Sequence, residues 1–578
     1  MYSLVLKNAK IIDGTGKPAY TADIGIVGEK IAAIGSIQQE ENCVDVSGKL
    51  VTPGFIDPHS HADCSLFLYP GCQSYVRQGI TTFVGGQCGD SNAPIRRYWM
   101  RKYWEYDMWD EIDPFIYDQT TIQPVERVIE GLYRKAGIVI DWRTFPEYIN
   151  KVKKQGLGCN MVALLGHSQV RADVMGTDQK RAPTPGEMEE MKACIDEAMS
   201  CGAWGISTGR DYPPSAYATT EEIIELVNYA KQNYNGMYFT HWKRTGVRIG
   251  TPKKPNKLAG ITEALEIGLA TGAKTQISHI STGFDIYPPN PQMDAYAAKV
   301  TLDIFDSYLA RGVDAGFDVI PGHNGGIPIK PYLVSWLMPW LRQAGSLAGL
   351  VRNLRASDFR RKLIDLLERG EWYPLSAQAN PLWDVTIVVL RSENRSYLGK
   401  SIRQIARERG QSSLETMMDL LIEDPRMMVE EFKKTDEEIR TLLSHPRGFA
   451  CTDTYAFDLE GTYGRGMEVP EILPHPHTYC AFPKVIQRYP AATLEETIHK
   501  MTGAVANFMG ITGRGELKEG NFADIVVMDY ENLKTNENYI EPRVYPEGID
   551  MVIVNGCVEV DDSGFTGQLG GRVLDHQN

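Results

Sequence analysis

The sequence predicts an α/β chain: a (β/α)8 TIM barrel with a small β-sandwich domain formed by both chain termini, and insertions over the active-site face. Three observations predict it. Short apolar runs alternate with helical patterns through the middle of the chain, and both ends are rich in strand-like segments. The middle is also longer than the ~250 residues of a minimal barrel.

In chain order, residues 1–50 supply the first part of the sandwich. The runs 22–27 and 31–34 flank Gly28-Glu29-Lys30, a hairpin pattern. Residues 51–513 hold the barrel. Its eight apolar runs end near His61, Gly86, Gly166, Thr208, His241, His279, Ile320 and Asp453, and helical patterns follow at 185–201, 219–233 and 260–271. Parallel strands need such crossovers, and the active site of a barrel lies where its strands end. The excess length falls at about 89–158 and 321–447. Both follow strands, so both should overhang the active-site face. The first carries Arg97-Tyr98-Trp99-Met100-Arg101-Lys102-Tyr103-Trp104 and later Trp109. That aromatic cluster is either a binding wall or the small core of the insertion itself. Residues 514–578, with runs at 523–528, 551–554 and 558–560, complete the sandwich.

Composition narrows the function classes. The 578 residues are 43% hydrophobic and 23% charged, an ordinary globular balance. The net charge is −14, the wrong sign for a surface that tracks phosphates, so nucleic acid is not an expected partner. Met1 leads directly into a strand-like run, with no secretory pattern. No apolar run approaches the ~20 residues that span a bilayer, so no membrane partner is expected either. Ten scattered cysteines without CxxC pairs point to a reducing, cytoplasmic compartment. Assembly into a homo-oligomer stays open.

The sharpest motif is Gly54-Phe55-Ile56-Asp57-Pro58-His59-Ser60-His61. Residues i and i+2 of a strand point to one side, so His59 and His61 can share a metal. A lone pair of histidines is weak evidence. Here, however, His241 and His279 each end another apolar run, and Asp453 ends a third. Four of only 11 histidines stand at predicted strand tips. A metal-ligating set His59, His61, His241, His279 and Asp453 follows. His167, Ser207 and Thr208 end two further strands. No Gly-x-Ser-x-Gly elbow is evident, which turns the reading away from a serine nucleophile.

These residues form the ligand pattern of metal-dependent amidohydrolases, and the surrounding words are more specific. The chain resembles the D-aminoacylase (N-acyl-D-amino-acid deacylase) family along most of its length. The matching stretches are residues 51–61, Gly86-Gln87-Cys88-Gly89-Asp90-Ser91, Leu165-Gly166-His167 with Arg171, residues 202–209, His475-Pro476-His477-Thr478-Tyr479 and residues 523–527. The resemblance implies a zinc-dependent hydrolase of a non-peptide C–N amide bond, with an N-acyl D-amino acid or related small-molecule amide as substrate. It also gives Cys88 a role. Alone, Cys88 reads as a small buried hydrophobe. By resemblance it is a zinc ligand where other amidohydrolases bridge two metals with a carboxylated lysine. Cys88, His241 and His279 are then the tight site, and His59, His61 and Asp453 a second, weaker or empty one. Asp453 is the expected general base and acid. His167 is either a donor to the developing oxyanion or a structural histidine.

The chain also departs from that family. Ser281 stands where the family places a lysine near the substrate carboxylate, Ile320 replaces a tyrosine, and Trp242-Lys243-Arg244-Thr245 replaces a Met-Arg-Asp-Glu run. Ser207 and Thr208 read as shaping the site, and Ser207 and Ser281 as part of the substrate pocket; either Arg171, Lys243 or Arg244 substitutes for the missing donors, or the substrate lacks that carboxylate. On this reading simple N-acetyl-D-amino acids are poor substrates, and a bulkier or neutral amide is preferred. Two other functions compete. A cyclic amide hydrolase of the hydantoinase or dihydroorotase kind would keep the bridging lysine that Cys88 replaces. A non-catalytic barrel used as a binding or scaffold module would have an incomplete ligand set.

Overall fold

The computed structural model describes residues 1–100, 122–246, 250–254, 256–286, 290–325, 332–459 and 474–576. Eight parallel strand positions form the barrel wall. They are Phe55–Asp57, Ile80–Gly85, Asn160–Ala163 continued by Leu165–Gly166, Gly205–Gly209, Met237–His241, Thr275–Ile277, Ala315–Val319 and Gly448–Ala450. All eight are buried throughout, as strands covered on both faces must be. The helices Pro185–Ser200, Thr220–Tyr234 and Lys257–Thr271 lie at the three predicted helical patterns. Thr184 opens the first of these with a capping box: its hydroxyl accepts from Glu187 N, Glu187 returns a bond to Thr184 N, and Pro185 follows.

The barrel has two seams. The third strand is split, so that Asn160–Ala163 pairs with Ile80–Gly85 while Leu165–Gly166 pairs with Gly205–Gly209. Val573–Leu574 pairs alongside Met161 and Val162, so the barrel sheet includes residues beyond 513. Between the eighth and first strands the join runs through the tips. Asp453 N donates to His59 O at 2.9 Å and His61 N to Thr454 O at 2.9 Å. Asp57, wholly buried, accepts from Thr452 N at 3.2 Å and Thr452 Oγ1 at 2.6 Å. Ring closure therefore sets the spacing between His59, His61 and Asp453.

The two chain ends build one β domain. Its nine strands lie in a single hydrogen-bonded sheet in which Leu50–Pro53 runs antiparallel to Ile525–Met528. Leu6, Ile24, Ile26, Val51, Ile525 and Ile553 form its core.

Both long segments after strands are ordered where described, and they differ in kind. In the first, Tyr98–Met100 pairs with Ile122–Pro124, Trp99 is 1% exposed in the main core, and Met100 packs on Ile122 and Ala172. The aromatic residues seen there are core rather than wall; Trp104 and Trp109 lie outside the described residues. The second segment has a hydrophobic core of its own, with Leu337, Leu341, Leu350, Trp372, Met417 and Leu420. The Tyr373 hydroxyl ties it to Thr245 O, in the loop that follows the fifth strand. Among the described residues no helix is long and apolar enough to cross a membrane.

That loop is held from beneath by a close approach. A Cβ on Gly260, within the helix Lys257–Thr271, would stand 1.9 Å from Lys243 O. Gly260→Ala should cost about 1–3 kcal/mol, the range for overpacking a filled interior. A denaturant midpoint indistinguishable from that of the parent would contradict so close a contact.

Candidate metal centre

Six predicted donors converge at the strand tips. Cys88 Sγ lies 3.4 Å from His59 Nε2, 3.6 Å from His241 Nδ1 and 3.7 Å from His279 Nε2. Asp453 Oδ1 is 3.2 Å from His59 Nε2 and 3.4 Å from His61 Nε2, and its Oδ2 is 4.0 Å from His279 Nε2. All six residues are at most 4% exposed. Tetrahedral zinc with bonds of 2.0–2.3 Å sets its ligand atoms ~3.5 Å apart, and the spacings around Cys88 match. The thiol stands between the imidazoles of both expected half-sites, with His59 nearer to it than His241 or His279. Cys64 and Asp90 extend the donors on the side of His61.

The backbone fixes three donors in an unusual way. Cys88, His279 and Asp453 have φ of 57°, 37° and 50°, a left-handed conformation that costs L-residues of order 1 kcal/mol or more each. Each sits where a strand turns sharply out of the barrel. At Cys88 the turn is clamped: Ser207 accepts from Gly89 N at 2.9 Å and donates to Gly86 O, while the Tyr212 hydroxyl donates to Cys88 O at 2.9 Å. The Ser207 hydroxyl thus holds the turn that carries Cys88. Carboxylates behind the histidines orient them, as around metal-binding imidazoles generally. Asp318 lies 3.4 Å from His59 Nδ1 and accepts from His279 N at 2.5 Å, and Asp211 lies 3.7 Å from His241 Nε2.

Electrostatics favour a cation between these groups. Burial opposes ionisation of Cys88, but His59, His241 and His279 outweigh it and hold the thiol well below its ordinary range. Asp453 is likewise held low against burial by His279 and His59. Burial pushes His61 down, and Asp453 and Cys88 raise it to about 9. Two anions enclosed among imidazoles at zinc-ligand spacing form a donor set that fits zinc.

Three predicted residues have protein partners of their own. His167 is 2% exposed, its Nδ1 2.8 Å from Ser215 Oγ and its Nε2 3.1 Å from Glu222 Oε1. Both nitrogens are occupied, which supports the structural alternative over the oxyanion donor. Arg171, fully buried, donates to Glu222 Oε1 at 2.9 Å and to the carbonyls of Gln179 and Arg181. Lys243 reaches Glu263 at 3.1 Å. Arg171 and Lys243 are consumed by packing partners that sequence patterns do not reveal, because Glu222 and Glu263 sit on later helices. Arg171→Ala should therefore destabilise by about 3–5 kcal/mol, the cost of leaving one partner of a buried pair uncompensated. A stable variant with only a raised KM would restore Arg171 to the substrate pocket. Thr208 bonds Tyr238 and Thr240 inside the wall, and Ser281 is half-buried just beyond His279. Sequence reasoning missed Asp211 and the orienting role of Asp318; the carboxylates behind the ligands carry no spacing rule of their own.

A family model described as "Amidohydrolase family" matches residues 42–248 and 367–559. The chain belongs to the amidohydrolase family. Like its amidohydrolase relatives it is a metal-dependent hydrolase. It is similar to the D-aminoacylase of Alcaligenes xylosoxydans xylosoxydans, 29% identical over 99% of this chain and 97% of the relative. The N-acyl-D-aspartate deacylase of the same organism is 26% identical over 99% and 94%. A solved D-aminoacylase structure concerned with the binuclear metal center of that enzyme superposes with a TM-score of 0.68 at 25% identity, covering all of both chains.

Proposed function

We propose that this amidohydrolase is a zinc-dependent deacylase that cleaves the amide bond of an N-acyl amino acid of the D series or a closely related small-molecule amide. The observation that carries the reading is the position of Cys88. A buried thiol 3.4–3.7 Å from three imidazoles has the donor types and spacing of a zinc site, and the resemblance to D-aminoacylases, which implies a cysteine ligand in place of a bridging lysine, supports the same role. The full-length similarity to D-aminoacylase and to N-acyl-D-aspartate deacylase supports the same substrate class.

Cys88, His241 and His279 would hold the tight zinc, with His59, His61 and Asp453 on the opposite side of the thiolate. When bound, zinc supplies Lewis acidity to the amide carbonyl and to water. The chain supplies proton transfer. Asp453, kept ionised by His279 and His59, accepts the proton of the attacking water and delivers it to the leaving nitrogen. Asp318 and Asp211 keep the imidazoles aimed while this occurs. Zinc quantification combined with a panel of acyl-amino acids in both chiralities tests the reading. One or two zinc ions per chain with hydrolysis confined to one antipode is the expected result. Hydrolysis of hydantoins or dihydropyrimidines instead would overturn it.

A further inference from the structure

Beside the metal centre, several buried polar atoms have no hydrogen-bond partner: Lys434 Nζ, Arg244 Nε, both ring nitrogens of His477, and Asn324 Oδ1. They come from separate parts of the chain, and a backbone bond brings two of those parts together: Lys434 N donates to His323 O at 3.0 Å, next to Asn324. The charges of Arg244 and Asp453 act on Lys434, those of Asp453 and Lys434 act on His477, and that of Arg244 acts on His279. A Cβ on Gly322 would stand 3.0 Å from Asn324 Oδ1 and 3.2 Å from His477 Nδ1, so these two side chains flank the bare backbone of Gly322. Asp453 belongs to the metal centre, and His279 is the imidazole opposite it. Arg244 is joined to that centre through Asp211, which accepts from Arg244 N at 3.1 Å and lies 3.7 Å from His241 Nε2.

The carboxylates around them have other partners as well: Asp211 faces Arg244 and accepts from Arg244 N at 3.1 Å, Thr245 Oγ1 at 2.7 Å and Gly246 N at 3.0 Å. Glu438 faces Lys434 but accepts from Thr282 N at 3.1 Å, and Glu430 is occupied 3.1 Å from His475. Lys484, which also acts on His477, pairs with Glu537. A lysine ammonium, an arginine Nε and an imidazole, each with a buried nitrogen lacking a partner, are costly unless an anion with several acceptor positions arrives to satisfy them. A carboxylate has that chemistry: it accepts up to four hydrogen bonds and carries the complementary charge.

We propose that Lys434, together with Arg244 and His477, holds the free carboxylate of the substrate. The charge that reads the acid end of the substrate is thereby carried by the segment after the seventh strand and by the loop after the fifth, in place of a lysine beside the sixth. This rests on the deacylase reading and makes it more specific: the substrate is an N-acyl amino acid with an unblocked carboxylate, not a neutral amide. Of the two alternatives the sequence leaves open, replacement of the missing donors holds. The chief replacement is Lys434, which nothing in the local sequence singles out.

The test uses the zinc-loaded Asp453→Asn protein, in which binding is read without turnover. Matched probes are N-acetyl-leucine and N-acetyl-leucinamide, each in both chiralities, titrated calorimetrically. The acid should bind about 10–100-fold more tightly than its carboxamide, the value of a hydrogen-bonded charge. Adding Lys434→Met should bring that ratio close to one, with zinc content unchanged, and adding Lys434→Arg should restore most of it. Lys434→Gln serves if the methionine variant fails to hold zinc. Equal binding of acid and carboxamide, no measurable binding of the acid, or a ratio that survives both Lys434→Met and Lys434→Gln would overturn the proposal. If instead the parent enzyme hydrolyses none of these amides while the ratio behaves as described, the deacylase reading fails and the carboxylate site stands.

Discussion

Cys88→Ala should purify with much less zinc than the parent and lose turnover by more than about 100-fold. That exceeds the 10–100-fold typical when only a neighbour of a metal ligand is removed. The thiol is the one donor within 3.7 Å of imidazoles from three different strands, so its loss opens both halves of the centre at once. The fold should persist. The main core and the cores of the β domain and of the second long segment do not depend on this side chain. Metal analysis of the purified variant, with circular dichroism as the control for folding, checks the outcome. Full zinc occupancy would remove Cys88 from the ligand set.

Asp453→Asn separates proton transfer from metal holding. The amide keeps the size of the carboxylate and loses its basicity, so turnover should fall by ~10²–10⁴-fold, the usual contribution of a positioned acid–base group. Zinc at the Cys88, His241 and His279 side should remain close to the parent level. The backbone bond from residue 453 to His59 O does not depend on the side chain, so the join between eighth and first strands is retained. If turnover survived nearly intact, another base would have to be found among the buried carboxylates.

The legible part of this protein was written in local pattern. His59 and His61 alternate just past the first strand, Phe55–Asp57, while His241 and His279 end apolar runs, and a barrel brings strand ends together whatever lies between them. Cys88 was legible only by resemblance, since a single cysteine after two glycines looks like any buried thiol. Its left-handed backbone, shared with His279 and Asp453, was not legible at all. Non-glycine residues rarely adopt it, and the surrounding tertiary contacts impose it. Arg171 shows what pattern cannot supply: a charged residue near a strand end reads as a substrate contact, while its bond to Glu222, 51 positions later, is set by the fold. Lys434 was invisible for the converse reason: its place against His323, next to Asn324, depends on the path of a long segment through its own core.

That second core separates two histories within one chain. The groups that perform the chemistry are anchored in the barrel, on residues whose packing also closes the ring. Lys434 follows an antiparallel strand pair, Ile387–Arg391 with Met428–Glu431, whose apolar residues pack in a different cluster that includes Leu337, Trp372 and Leu420. Mutations that reshape one core leave the other largely undisturbed, since substitutions far apart with no shared partners act additively. Selection can therefore alter which acids are recognised while the hydrolytic centre is held constant. New substrate ranges in such an enzyme should arise first by drift or exchange of the segment between the seventh and eighth strands.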